Sequence, residues 1–152
     1  MDANSIAERI RLEREILTHV RQAVRLAVRA PFDLETSAEW HERLCFLLDS
    51  FGRHMRRLFT IEEEGGYLDF VVDSQRPNLA QTADRLLAEH RELVEIHHEV
   101  LKDAKTISVS NLANLHELRQ RVIGFLGRLA RHFRDEKNLC FDALMVDIGG
   151  EG

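Results

Sequence analysis

Proline occurs at only two places in this chain, Pro31 and Pro77, and glycine pairs up at Gly65-Gly66 and Gly149-Gly150. Between these breakers, apolar residues recur at steps of three and four, the spacing that lines one face of an α-helix. The pattern predicts a first helix from about Ser5 to Ala30. A second opens at Thr36-Ser37-Ala38-Glu39, a capping-box pattern, and stops at Gly65-Gly66. A third runs from Pro77-Asn78 to about Lys105, and a fourth from near Ser110 to just before Gly149. Tyr67 to Val72 is rich in β-branched and aromatic residues, but has no second strand to pair with, so a continuation or short extra helix is expected there. Four helices of this length with short connections predict an all-α fold, an antiparallel up-down-up-down four-helix bundle, as one domain over residues 1–152.

Composition narrows the class. With 44% apolar and 31% charged residues, the chain can bury a core, and no apolar run approaches the roughly 18–20 residues of a membrane-spanning helix. The Arg- and Glu-rich N-terminal segment has no apolar signal core, and Cys45 and Cys140 form no CxxC pair, so a cytoplasmic protein with two reduced, mostly buried thiols is expected. A net charge of −5 gives no reason to expect nucleic acid. The run Arg53-His54-Met55-Arg56-Arg57 reads as a solvated helix face. GxSxG, P-loop and GxGxxG patterns are all missing, which argues against ordinary hydrolase or nucleotide chemistry.

The informative residues are polar groups in apolar stripes. In the fourth helix, Leu118, Val122, Phe125, Leu129, His132, Glu136, Leu139 and Ala143 share one face, so His132 and Glu136 are both expected inside. In the second, the stripe Leu44, Leu47, Leu48, Phe51, Met55, Leu58 ends at Glu62. Ile16, His19, Ala23 and Leu26 mark the inward face predicted for the first helix; Ala83, Leu87, His90, Val94, His97 and Leu101 mark that of the third. A buried carboxylate is costly unless something pairs with it, and imidazole with carboxylate is the donor set of first-row transition metals. Glu63 and Glu64 read as a solvated acidic helix end, His98 and His116 as exposed, His41 as too far along the bundle to join the others. His97 and His54 are secondary candidates, each about two turns from a primary one.

Four stretches carry a family resemblance: Leu17-Thr18-His19, Ile61-Glu62-Glu63-Glu64-Gly65-Gly66-Tyr67-Leu68, Leu87-Ala88-Glu89-His90, and His132-Phe133-Arg134-Asp135-Glu136-Lys137-Asn138-Leu139. Together they resemble the hemerythrin-like (HHE cation-binding) domains of bacteria, as does the ending Val146-Asp147-Ile148-Gly149. The resemblance implies a non-haem iron site, usually two irons bridged by carboxylates, at the centre of the bundle. Carried over, the metal ligands are His19, Glu62, His90, His132 and Glu136, the glutamates bridging. It implies reactivity toward dioxygen, nitric oxide or peroxide, or iron sensing. Two positions depart from the pattern: Leu58 stands where the second helix of the family has its histidine, and Val94 where true hemerythrins have a further one.

The ligand count then predicts an incomplete centre, with one metal or an asymmetric pair. Binding or sensing of a small oxidant or diatomic gas leads over turnover. A metal-free structural or interaction bundle is the rival, and a ferritin-like oxidase or peroxidase ranks last because HxxxE occurs once, without paired ExxH motifs.

Overall fold

The computed structural model describes residues 3–65 and 77–149, with side chains described for 4–65 and 77–142. It is an all-α bundle of four helices: α1 (Ala3–Arg29), α2 (Ser37–Glu64), α3 (Pro77–Thr106) and α4 (Leu112–Gly149). Boundaries fall within two residues of those expected, and Tyr67–Val72 lies outside the described residues. Cross-helix pairs give the direction of each neighbour. Arg14 of α1 meets Glu62 late in α2, whereas Ala27 late in α1 accepts from Trp40 early in α2. His90 and His97 of α3 meet Glu63 and Leu48 of α2 in reverse order. Glu89, Glu92 and Asp103 of α3 pair with His132, Arg128 and Arg121 of α4, again in reverse. Arg14 and Ala30 meet Glu136 and Arg119 across the α1–α4 seam. The bundle is therefore antiparallel throughout and closed into a ring.

Two stripes lie as their sequences predict. In α2, Leu44, Leu48, Phe51, Met55, Leu58 and Glu62 are buried, with Leu47 half-buried. In α4, Leu118 through Leu139 are buried, His132 and Glu136 included; Ala143 lies outside the described side chains. In α3 the buried face is Leu79, Ala83, Leu86, His90, Leu93, His97, Val100 and Ala104, so Leu87, Val94 and Leu101 are only half-buried. The predicted α1 face is a correction. Ile16, His19 and Leu26 are exposed, and the buried face is Ile10, Leu17, Val24, Ala27 and Val28. Apolar residues occupy two stripes of this helix, and the more populous one faces the core, where each fully buried aliphatic side chain contributes about 1.5–3 kcal/mol.

The expected capping box also differs. Thr36 makes no side-chain cap to α2, and Asp33 organises the turn instead, accepting from the amides of Glu35 and Thr36 at 2.9 and 3.0 Å. An Asx side chain closing its own turn in this way competes directly with the cap. Beside that turn, the Arg119 guanidinium lies over Phe32 and Trp40, 4.6 and 5.5 Å from their ring centroids, and donates to the Ala30 carbonyl. This closes one end of the bundle. Cys45 and Cys140 are free thiols, half-buried rather than fully so. Among the described residues, no helix is long and apolar enough to cross a membrane.

Candidate metal centre

The other end holds the polar interior. Glu62, His90, His132 and Glu136 come from α2, α3 and α4, and each is at most 2% exposed. Glu136 Oε2 lies 3.2 Å from His132 Nε2 and 4.0 Å from His90 Nε2, and Glu62 Oε2 lies 3.5 Å from His90 Nε2. Donor atoms around one first-row ion at about 2.1 Å stand no more than about 4.2 Å apart, so these separations suit a shared ion. His90, His132 and Glu136 offer atoms that all lie within 4.8 Å of one another.

The outer nitrogens explain what the inner ones can do. His90 Nδ1 donates to Glu63 Oε1 at 3.0 Å, and His132 Nδ1 donates to Glu89 Oε1 at 2.9 Å. A carboxylate on Nδ1 fixes the tautomer, so a neutral ring turns the lone pair of Nε2 inward. Phe59 stacks on His90 with ring centroids 3.9 Å apart and planes 7° from parallel, which holds the ring in that orientation. Both Nε2 atoms and both Oε2 atoms are buried without a hydrogen-bond partner. With both carboxyls ionised and both rings neutral these atoms would have no donor among them, an arrangement that a cation or protons must relieve.

The family model described as the hemerythrin HHE cation binding domain matches residues 6–144. The chain belongs to this family. No curated protein and no solved structure matches it.

In this HHE domain the electrostatics follow from the same geometry. Burial, and then the neighbouring Glu136 carboxylate, push Glu62 up to about 9. Burial also opposes the charge on Glu136, but His132, His90 and Arg14 outweigh it and hold that carboxyl below the usual range. Burial disfavours a charged His132, yet Glu136 and Glu89 prevail and raise it above an ordinary histidine. Protons therefore compete with a metal for this centre, and affinity for an ion falls as the solution becomes more acid.

His19 is not brought to the group. It is exposed on α1, its Nδ1 donating to the Glu15 carbonyl at 2.8 Å, and it lines a groove against Ile123, Leu126 and Ala130 of α4. At the level of the centre α1 presents Arg14 instead, whose guanidinium bonds Glu62 Oε1 at 3.1 Å and Glu136 Oε1. His97 is buried elsewhere and bonds the Leu48 carbonyl at 2.7 Å. His54 is half-buried beside Glu13, 3.5 Å away. Leu58 is fully buried and lines, with Arg14, Leu17, Phe133, Glu136 and Cys140, a cavity of about 380 Å³ that reaches the centre.

Three contributors escaped the sequence reading. Glu63 is not merely a solvated helix end, since it holds His90; Glu89 holds His132; Arg14 binds both carboxylates. A signal existed for each. Glu63 and Glu89 directly adjoin Glu62 and His90 in the chain, and Arg14 lies four residues after Ile10 and three before Leu17 on the buried stripe. Glu89→Ala should weaken metal affinity about 10- to 100-fold with the helices intact, the usual effect of losing a carboxylate behind a ligating histidine. Competition against a chelator of known affinity measures it.

Proposed function

We propose that this HHE domain binds one non-haem iron ion through His90, His132, Glu136 and Glu62, and uses it to bind or sense dioxygen, nitric oxide or peroxide. The observation that carries this reading is the buried group of His90, His132 and Glu136, whose donor atoms lie within 4.8 Å of one another, with the unpartnered Glu62 Oε2 3.5 Å from His90 Nε2. Ferrous iron held by these few side chains would supply an open coordination position for a diatomic ligand.

The residues around the centre have separable tasks. Glu63 and Glu89 set the tautomer and rotation of the two imidazoles, and Phe59 fixes the His90 plane. Leu17, Leu58 and Phe133 form the apolar part of the cavity that reaches Glu136 and would give a small neutral gas a path toward the centre. Few ligands and an accessible cavity favour sensing over reversible carriage, because an incompletely ligated ion oxidises readily. Any signal would be read by a partner through the helices themselves.

A metal-free interaction bundle is the second reading, and Arg14 with Leu58 supports it, since the guanidinium partly neutralises the carboxylates unaided. Anaerobic purification from iron-replete cells, followed by elemental analysis and an ultraviolet-visible spectrum with nitric oxide, separates the two. About one iron per chain and a nitrosyl absorption are expected. No bound metal, together with a melting temperature that ferrous iron leaves unchanged, would establish the metal-free bundle. Manganese or zinc in place of iron would move the function away from gas chemistry.

A further inference from the structure

The oxygens of Glu62 and Glu136 divide into two pairs. Both Oε2 atoms face imidazole nitrogens, at 3.5 Å from His90 and 3.2 Å from His132. Both Oε1 atoms face Arg14 Nη2, Glu62 at 3.1 Å. Two carboxylates disposed in this way offer two places for positive charge, one on each pair of oxygens. We propose that the Arg14 guanidinium is the resident occupant of one place, so that the centre takes a single metal ion and not two. This inference rests on the metal-binding reading above and adds to it which side is closed, and by what.

Charge, donors and chemistry agree. The two carboxylates supply at most two negative charges; one guanidinium and one divalent ion already exceed them when both imidazoles are neutral. A second divalent ion would have to share buried oxygens with the half-buried Arg14 guanidinium, and the repulsion between the two cations opposes it. Apart from Glu136, the cavity on the side facing Arg14 is lined by no histidine or carboxylate, and Cys140 is its one further side chain of a usual metal-ligating type among the described residues. The cavity there is walled by Leu17, Leu58 and Phe133, and its other charged members, Arg21 and Lys137, are cations. Arginine does not lose its proton in proteins, so no accessible pH vacates the position as it would for lysine or histidine. The guanidinium also holds together two buried carboxylates that would otherwise repel.

Anaerobic titration of the full chain with cobalt(II), followed by visible absorption and electron paramagnetic resonance, tests this. Wild-type protein should bind one cobalt per chain with the signal of an isolated high-spin ion. Leu58→His alone should still bind one, because Arg14 remains. The double variant Arg14→His, Leu58→His should bind two, with magnetic coupling between them. Two ions in the wild type or in Leu58→His, or one in the folded double variant, would overturn the proposal and leave the metal-binding reading standing. No cobalt in the wild type would sink both. Should the double variant fail to fold, Arg14→Met decides the matter. Removing a resident cation should tighten the first cobalt at least tenfold, whereas weaker binding would make Arg14 only a brace for the carboxylates and refute its role as occupant.

Discussion

Replacing His132 with alanine is expected to take the metal content of the purified protein from about one ion per chain to below a tenth. His132 supplies one of the three closely grouped donor atoms, and its loss leaves Glu89 without the ring it orients. Losing an outer carboxylate alone typically costs 10- to 100-fold in affinity, so losing the ligand it supports should cost more than about 100-fold. Elemental analysis after dialysis reads this directly, with circular dichroism to verify that the helices persist. Thermal shift gives a second reading: an ion at 100 times its dissociation constant stabilises the native state by about 2.7 kcal/mol, and His132→Ala should abolish that increment. His19→Ala belongs beside it as the control. His19 is exposed and bonded to its own helix, so its removal should leave the metal content unchanged. Equal loss in both variants would mean that the α1 histidine reaches the centre after all.

Gly52→Ala should have the largest effect on stability of any small substitution in α2. A Cβ at residue 52 would lie 2.0 Å from His97 Cε1 and 2.4 Å from Nε2, inside the volume of a buried ring. The ring cannot simply retreat, because Nε2 is bonded to the Leu48 carbonyl at 2.7 Å and Phe51 and Phe125 border it at 6.4 and 5.9 Å between centroids. Overpacking costs about 1–3 kcal/mol, and a buried hydrogen bond left unmade adds about 1–3 kcal/mol. A helix-interior alanine returns about 1 kcal/mol of backbone preference. The net expectation is a loss of about 3 kcal/mol, or roughly 6–12 °C in melting temperature for a domain of this size. Chemical denaturation with an unchanged slope would measure it. A neutral or stabilising result would show that His97 has another rotamer within easy reach.

The helices that were easy to read are those whose apolar residues fall on one stripe. In α2 and α4 that stripe leads without interruption into Glu62 and into His132 with Glu136, so the buried carboxylates announce themselves. In α1 the residues Leu12, Ile16, Ala23 and Leu26 compete with Ile10, Leu17, Val24 and Val28, and periodicity alone does not choose between two faces about 100° apart. His19 went with the wrong face, and Arg14 went unnoticed on the right one. The α3 stripe was displaced by a residue at several positions, yet His90 and His97 belong to both versions. Glu63 and Glu89 adjoin ligand candidates in the chain, but their contacts are harder to assign for a different reason. Periodicity places a residue on a face of its own helix, but says nothing of how far a flexible side chain reaches toward the next. Glu63 is nearly half exposed and still meets His90 at 3.0 Å.

The two carboxylate–imidazole pairs run in series around the ring. Glu63 of α2 grips His90 of α3, and Glu89 of α3, one residue earlier, grips His132 of α4. An ion drawn to both imidazoles and to Glu62 and Glu136 would rivet α2, α3 and α4 into one stiff plate. At that level α1 is fastened to the plate by the Arg14 ion pairs, while its far end is clamped by Arg119 and Trp40. α1 is thus held at two levels, and at the centre the holding contact is an ion pair. An ion bound there would be felt by α1 first as a change of charge beside Arg14.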